Sequence, residues 1–106
     1  DSEAQSFARL KRLVAEPGSA IQGYDEGLWA KNPTLGYTDM PVETSIAVFK
    51  AVRAGSLEVI KRLAPEQLKN FCIHSERGEF SLERWLEIYT RHAIEHADQI
   101  TKNLAL

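Results

Sequence analysis

Apolar residues recur at every third or fourth position along three stretches of this 106-residue chain, and that spacing limits the fold more than any other feature. Ala4, Phe7, Leu10 and Val14 form the first stripe, with Arg9, Lys11 and Arg12 between them, and Pro17-Gly18 ends it. Pro41 suits a helix start, and Val42, Ile46, Phe49, Val52, Val59, Ile60 and Leu63 carry a second stripe to Pro65, with Gly55 as a weak point. Ser81 is placed to cap a third helix with Glu83 in its first turn. The inward face of that helix reads Leu82, Trp85, Leu86, Tyr89, His92, His96 and Ile100.

No strand-like alternation or Asn-Gly hairpin signal competes with these stripes. The expected class is therefore all-α, an antiparallel up-down helix bundle. Residues 19–39 hold no period and mix Gly23, Gly27, Pro33 and Gly36 with Tyr24, Trp29 and Tyr37, which predicts a long loop packed on the body. A single turn at "PEQL" precedes a second loop, "NFCIHSERGEF". The length fits one domain, residues 1–106, with one modest core. Three amphipathic helices make a thin bundle, and a helix missing before Asp1 would leave an apolar groove that a second copy fills across Phe7, Ile46 and Phe49. The expected assembly is a homodimer.

Composition removes several function classes. A net charge of −2 without a block of Lys or Arg offers no electrostatic footprint for nucleic acid. No apolar run reaches the roughly 18 residues of a membrane span. The single cysteine, Cys72, has no internal partner for a disulfide and suits a reducing cytoplasmic setting or a buried small hydrophobe.

The chemistry-bearing feature is "RHAIEH". His92 and His96 stand four apart, one turn above the other on one helix face. Two imidazoles on an apolar stripe cost desolvation unless their nitrogens find partners, and a divalent metal satisfies both at once. The alternative is a pair of packed core histidines bonded to carbonyls, carboxylates or water. The zinc-protease form of this spacing needs a Glu beside the first His, where Ala93 stands here. Glu95 lies between the pair in sequence but projects off their face. A catalytic site takes a third protein ligand. His74, the remaining histidine, precedes the third helix, and His92 lies about three turns, roughly 16 Å, along that helix from its start. On that distance His74 is a poor third ligand unless its loop folds back.

Two stretches together resemble the DinB/YfiT-like superfamily of four-helix-bundle metal-dependent proteins. "DSEAQSFARLKRLVAEPGSAIQGYDEGLWA" is similar to the segment that follows the family's first histidine, and "HSERGEFSLERWLEIYTRHAIEHADQI" to its His-x-Glu, Gly, Leu, His-x-x-x-His and Gln-Ile ending. The resemblance implies that His92 and His96 are two metal ligands, and that a third lies three positions before Asp1 on a first helix lacking here, leaving three main helices. It implies zinc or nickel as the divalent metal. Arg9, Tyr24, Trp29 and His74 then belong to substrate binding, Arg9 as an orienting group for an anionic substrate or thiol, with Tyr24, Asp25 and Trp29 matching the loop pattern Y-D-E-x-x-W. The implied bacterial, cytoplasmic activity is thiol-dependent S-transfer between a small-molecule thiol and an electrophilic substrate. Metal-dependent hydrolysis is the alternative, and a non-catalytic interaction or stress-response module a further one.

Overall fold

A computed structural model describes residues 1–105. Four helices carry the chain: α1 (Ser2–Ala15), α2 (Glu26–Lys31), α3 (Val42–Ile60) and α4 (Leu82–Leu104). The three striped segments are the three long helices. Ser81 caps α4 as its position predicted, its hydroxyl accepting from the Arg84 N–H at 3.1 Å.

The expected all-α class needs correction, because a three-stranded sheet closes one end of the helices. Strand β1 (Ala20–Ile21) runs parallel to β2 (Phe71–His74), which pairs antiparallel with β3 (Gly78–Ser81). "NFCIHSERGEF" is thus a hairpin, its turn closed by Gly78 at φ +72°, a backbone conformation that favours glycine. Side chains do alternate across β2, with Cys72 and His74 inward and Phe71 and Ile73 outward. The outward residues are themselves apolar, so hydropathy shows no alternation there. The long loop likewise holds local structure. Asp25 caps α2 by accepting from the Leu28 N–H at 2.9 Å, and Asn32 caps the 3-10 turn Pro33–Leu35.

The hydrophobic core sits at the sheet end. Leu10 and Leu13 of α1 meet Ile21, Cys72 and Phe80 of the sheet and Leu82, Trp85 and Tyr89 of α4. Asn70 ties the hairpin to this core, donating through Nδ2 to the Leu13 carbonyl at 3.0 Å while its own carbonyl accepts from Leu82 N–H at 2.8 Å. Beyond Tyr89 the expected burial of α4 stops. His92 is half-buried and His96 is exposed, as are Ile94 and Ile100. The histidine pair therefore faces an open groove instead of a packed interior.

A polar layer separates core from groove. The Trp85 indole donates to the Ser6 carbonyl at 2.8 Å, locking α4 against α1. Glu3 of α1 is buried and receives Arg53 of α3 in a two-pronged ion pair, Nη2 to Oε2 at 3.0 Å, and the same Nη2 reaches the Tyr89 carbonyl of α4 at 3.3 Å. Gly55 lets α3 approach α1, since a Cβ there would lie 2.8 Å from Phe7 Cζ. Phe7 thus packs on Gly55, while Ile46 and Phe49 stay exposed.

Removing Arg53 alone strands the Glu3 carboxylate. Arg53→Met is expected to cost about 3 kcal/mol, and Glu3→Leu with Arg53→Met together to recover most of it. Urea unfolding of Arg53→Met, Glu3→Leu and the double variant checks this; an additive double mutant would contradict it.

Candidate metal centre and adjoining cavity

Helix α4 places His92 and His96 on one face because four residues nearly complete a turn. Their Nε2 atoms converge to 3.2 Å, with ring centroids 4.5 Å apart. Two nitrogens on one tetrahedral zinc, each at about 2.05 Å, stand roughly 3.3 Å apart, so the pair already has chelating separation. His96 Nδ1 lies 3.3 Å from Gln99 Oε1. Donating Nδ1–H to that oxygen leaves His96 Nε2 as the lone-pair nitrogen, the tautomer a metal requires. Gln99 is a residue the spacing argument missed, although i to i+3 neighbours on a helix are legible in principle.

Two ligands do not close a site. Among the described residues, no group of three or more His, Cys, Asp or Glu side chains could hold a metal ion. The donors present fit a cation as a two-nitrogen half-site.

The other expected residues distribute around this pair. A groove of about 730 Å³ runs along the exposed end of α4, and its walls include His92, His96, Tyr24, Phe49 and Ser2. A smaller cavity of about 130 Å³ joins it. Arg9, His74 and Tyr89 line this second space, and His92, Tyr24, Ser2 and Glu26 line both. The hairpin does fold back. It brings His74 into one cavity with His92, although the two join no group of three metal-ligating side chains among the described residues. Trp29 packs its ring 4.5 Å from that of Tyr24 and lines a hollow that adjoins the far side of the groove, with Asp1, Tyr37, Met40 and Ser45 lining both. Tyr24 is fixed from the other side by Ser2, whose hydroxyl lies 3.3 Å from the phenol.

Arg9 is buried and donates through Nη1 to the Tyr89 hydroxyl at 3.1 Å. The Tyr89 ring in turn stands edge-on to His92, centroids 6.2 Å apart. His74 is also buried, and its Nδ1 accepts from the Glu76 N–H at 3.0 Å, so the neutral ring carries its proton on Nε2. Burial pushes the His74 pKa below its ordinary 6.5, the Arg9 and Arg77 charges push it further, and Glu76 opposes them.

A histidine with a lowered folded-state pKa binds fewer protons folded than unfolded, so its contribution to stability is present above about 6.5 and declines as pH falls below that value. Chemical unfolding of metal-free protein between pH 7.5 and 5.5 should therefore show stability falling with acidification. His74→Gln should flatten that slope, and an unchanged slope in the variant would rule out this origin.

Two Oceanobacillus iheyensis proteins are similar to the chain. One, named "Putative metal-dependent hydrolase OB0782", is 29% identical over 95% of this chain and 57% of its own length. The other, "Putative metal-dependent hydrolase OB0413", is 28% identical over 94% and 56%. "Putative metal-dependent hydrolase BH0277" of Halalkalibacterium halodurans is 22% identical over 98% of this chain and 59% of its own. The chain spans a little over half the length of these curated relatives. No solved structure matches it at a significant level. The model of the DinB superfamily matches residues 2–100, and the chain belongs to that superfamily.

Proposed function

We propose that this chain forms part of a metal-dependent enzyme acting on a small molecule, with hydrolysis as the primary reaction. The observation that carries the reading is the 3.2 Å convergence of His92 and His96 Nε2 on the wall of an open groove. The names of the three relatives support hydrolysis over the thiol transfer that the sequence resemblance put first. Transfer of a small-molecule thiol to an electrophile would use the same half-site and remains the second reading.

In this reading His92 and His96 would hold the cation, zinc or nickel as the family resemblance implies, since imidazole nitrogens suit divalent transition metals of this kind. The metal would supply Lewis acidity toward a water or thiol. Its remaining ligands come from protein outside residues 1–105, from water or from substrate; the relatives extend well beyond the matched region. Gln99 keeps His96 in the ligating tautomer. His92 Nε2 sits within hydrogen-bond distance of His96 Nε2 and gives up its proton at that atom to become a ligand, moving it to Nδ1. Apolar surface from Val48, Phe49 and Ile100 walls the groove and favours an uncharged substrate body. Assembly as a homodimer over the exposed Ile46 and Phe49 and a cytoplasmic site of action are part of the same proposal; among the described residues no helix is long and apolar enough to cross a membrane.

Elemental analysis of the intact protein is expected to find about one divalent ion per chain. His92→Ala or His96→Ala should remove most of it, and Gln99→Leu should weaken affinity by about 10–100-fold. Metal content unchanged in both histidine variants would overturn the proposal, as would a non-catalytic bundle's metal-free wild type.

A further inference from the structure

The small cavity beside the histidine pair is lined by a buried guanidinium, Arg9, that forms no ion pair among the described residues. Arg9 is 8% exposed. A guanidinium has five N–H donors. One meets the neutral Tyr89 hydroxyl, and the Nε position is buried without any partner. Burying a charge in this state costs several kcal/mol in general, and proteins ordinarily pair it or replace it with an apolar side chain. Arg53 of α3 contrasts with it, since both prongs of that guanidinium meet the buried carboxylate of Glu3 on α1.

His74 lines the same cavity with Nδ1 already occupied by the Glu76 N–H, so its remaining ring nitrogen is a donor. A buried donor without an acceptor, Arg9 Nε, and a cavity-lining ring whose Nε2 donates no hydrogen bond among the described residues, His74, therefore meet at one space. Arg77 at the exposed rim adds positive charge, and Glu26 and Glu76, also at the rim and exposed, oppose it. Neither acid pairs with Arg9.

We propose that Arg9 and His74 form a receptor for a compact oxyanion, the carboxylate or phosphoryl head of the substrate whose body lies in the groove over His92 and His96. At about 130 Å³ the cavity falls well below the roughly 300–1,000 Å³ of a pocket for a whole drug-sized ligand, so it takes a head group only. The adjoining groove, about 730 Å³, takes the rest. Since His92 and Tyr24 line both spaces, a molecule anchored at Arg9 passes directly by the metal-ligand pair. Anchoring through a part of the substrate that does not react orients the part that does. This assignment rests on the proposed small-molecule reaction for its purpose, but not on the metal for its binding.

The test uses the intact protein, stripped of metal and dialysed free of chelator, titrated at constant ionic strength with sodium acetate, sodium phosphate and neutral acetamide. Heteronuclear NMR of the Arg9 Nε–H and the His74 ring reads occupancy directly. Acetate or phosphate should saturate both signals while acetamide does not, and whichever anion binds identifies the head group as carboxylate or phosphoryl. Arg9→Met should weaken that anion about tenfold or more, as loss of a charge-assisted contact does. His96→Ala, which removes a metal ligand outside the small cavity, should leave anion affinity unchanged. Equal response to acetamide, no response to either anion, or full affinity in Arg9→Met would overturn the assignment. Should Arg9→Met fail to fold, the comparison of anion with acetamide on the wild-type Arg9 and His74 signals decides alone. Metal content lost in His96→Ala with anion binding intact, or anion binding lost in Arg9→Met with metal content intact, tells the two proposals apart.

Discussion

The Arg53 guanidinium holds the arrangement together, because three helices meet on it. It takes the Glu3 carboxylate from α1 and the Tyr89 carbonyl from α4 while standing on α3 and covering the Phe49 ring at 5.4 Å. Few apolar residues are buried along α3, so packing alone sets its position weakly; Ser56 is its single buried residue. A two-pronged ion pair with one partner nearly withdrawn from solvent supplies directional contact where hydrophobic burial is thin. Tyr89 is one turn before His92, and its carbonyl is fixed by the same guanidinium. The placement of the histidine pair thus depends in part on a charge pair that links the three long helices.

The molecule grades from dry to wet along its length. Leu10, Leu13, Cys72 and Leu82 are fully buried against the sheet. Next come single polar contacts with full partners, Trp85 to Ser6 and Arg53 to Glu3. Last come groups that are only partly satisfied: Arg9, whose Nε has no partner, and the histidine pair, whose Nε2 atoms meet only each other. The core pins one end of α1 and α4 firmly, and these groups collect at the other end, where the groove begins. Pre-organised polar groups at the edge of a rigid core are the usual setting for binding and catalysis.

Much of this was legible in the chain. Period and caps located α1, α3 and α4, and the Ser81 cap was readable to the residue. The spacing of His92 and His96 put them on one face, and the wider pattern of residues matched the superfamily that the chain belongs to. The sheet was not legible, because Phe71 and Ile73 point outward yet are apolar, which erases the alternation that marks a half-buried strand. The position of His74 depended on whether its loop folds back, and distance along one helix says nothing about a hairpin that doubles back beside it. The burial of α4 was overestimated because a stripe shows which side could be covered, and not how far the cover extends. Arg9 was visible as a cation between apolar positions, but its lack of a counter-charge depends on where Glu3, Glu26 and Glu76 end up.

Ser81 has a double position: it is the last residue of β3, paired with Phe71, and also the N-cap of α4. Strand register and helix phase are therefore one mechanical setting. A slip of a single residue in the hairpin would exchange the inward and outward faces of β3, and the same slip would turn the helix that follows by about 100°. The sheet, far from the histidines, thereby acts as the index mark that tells α4 which way to aim them.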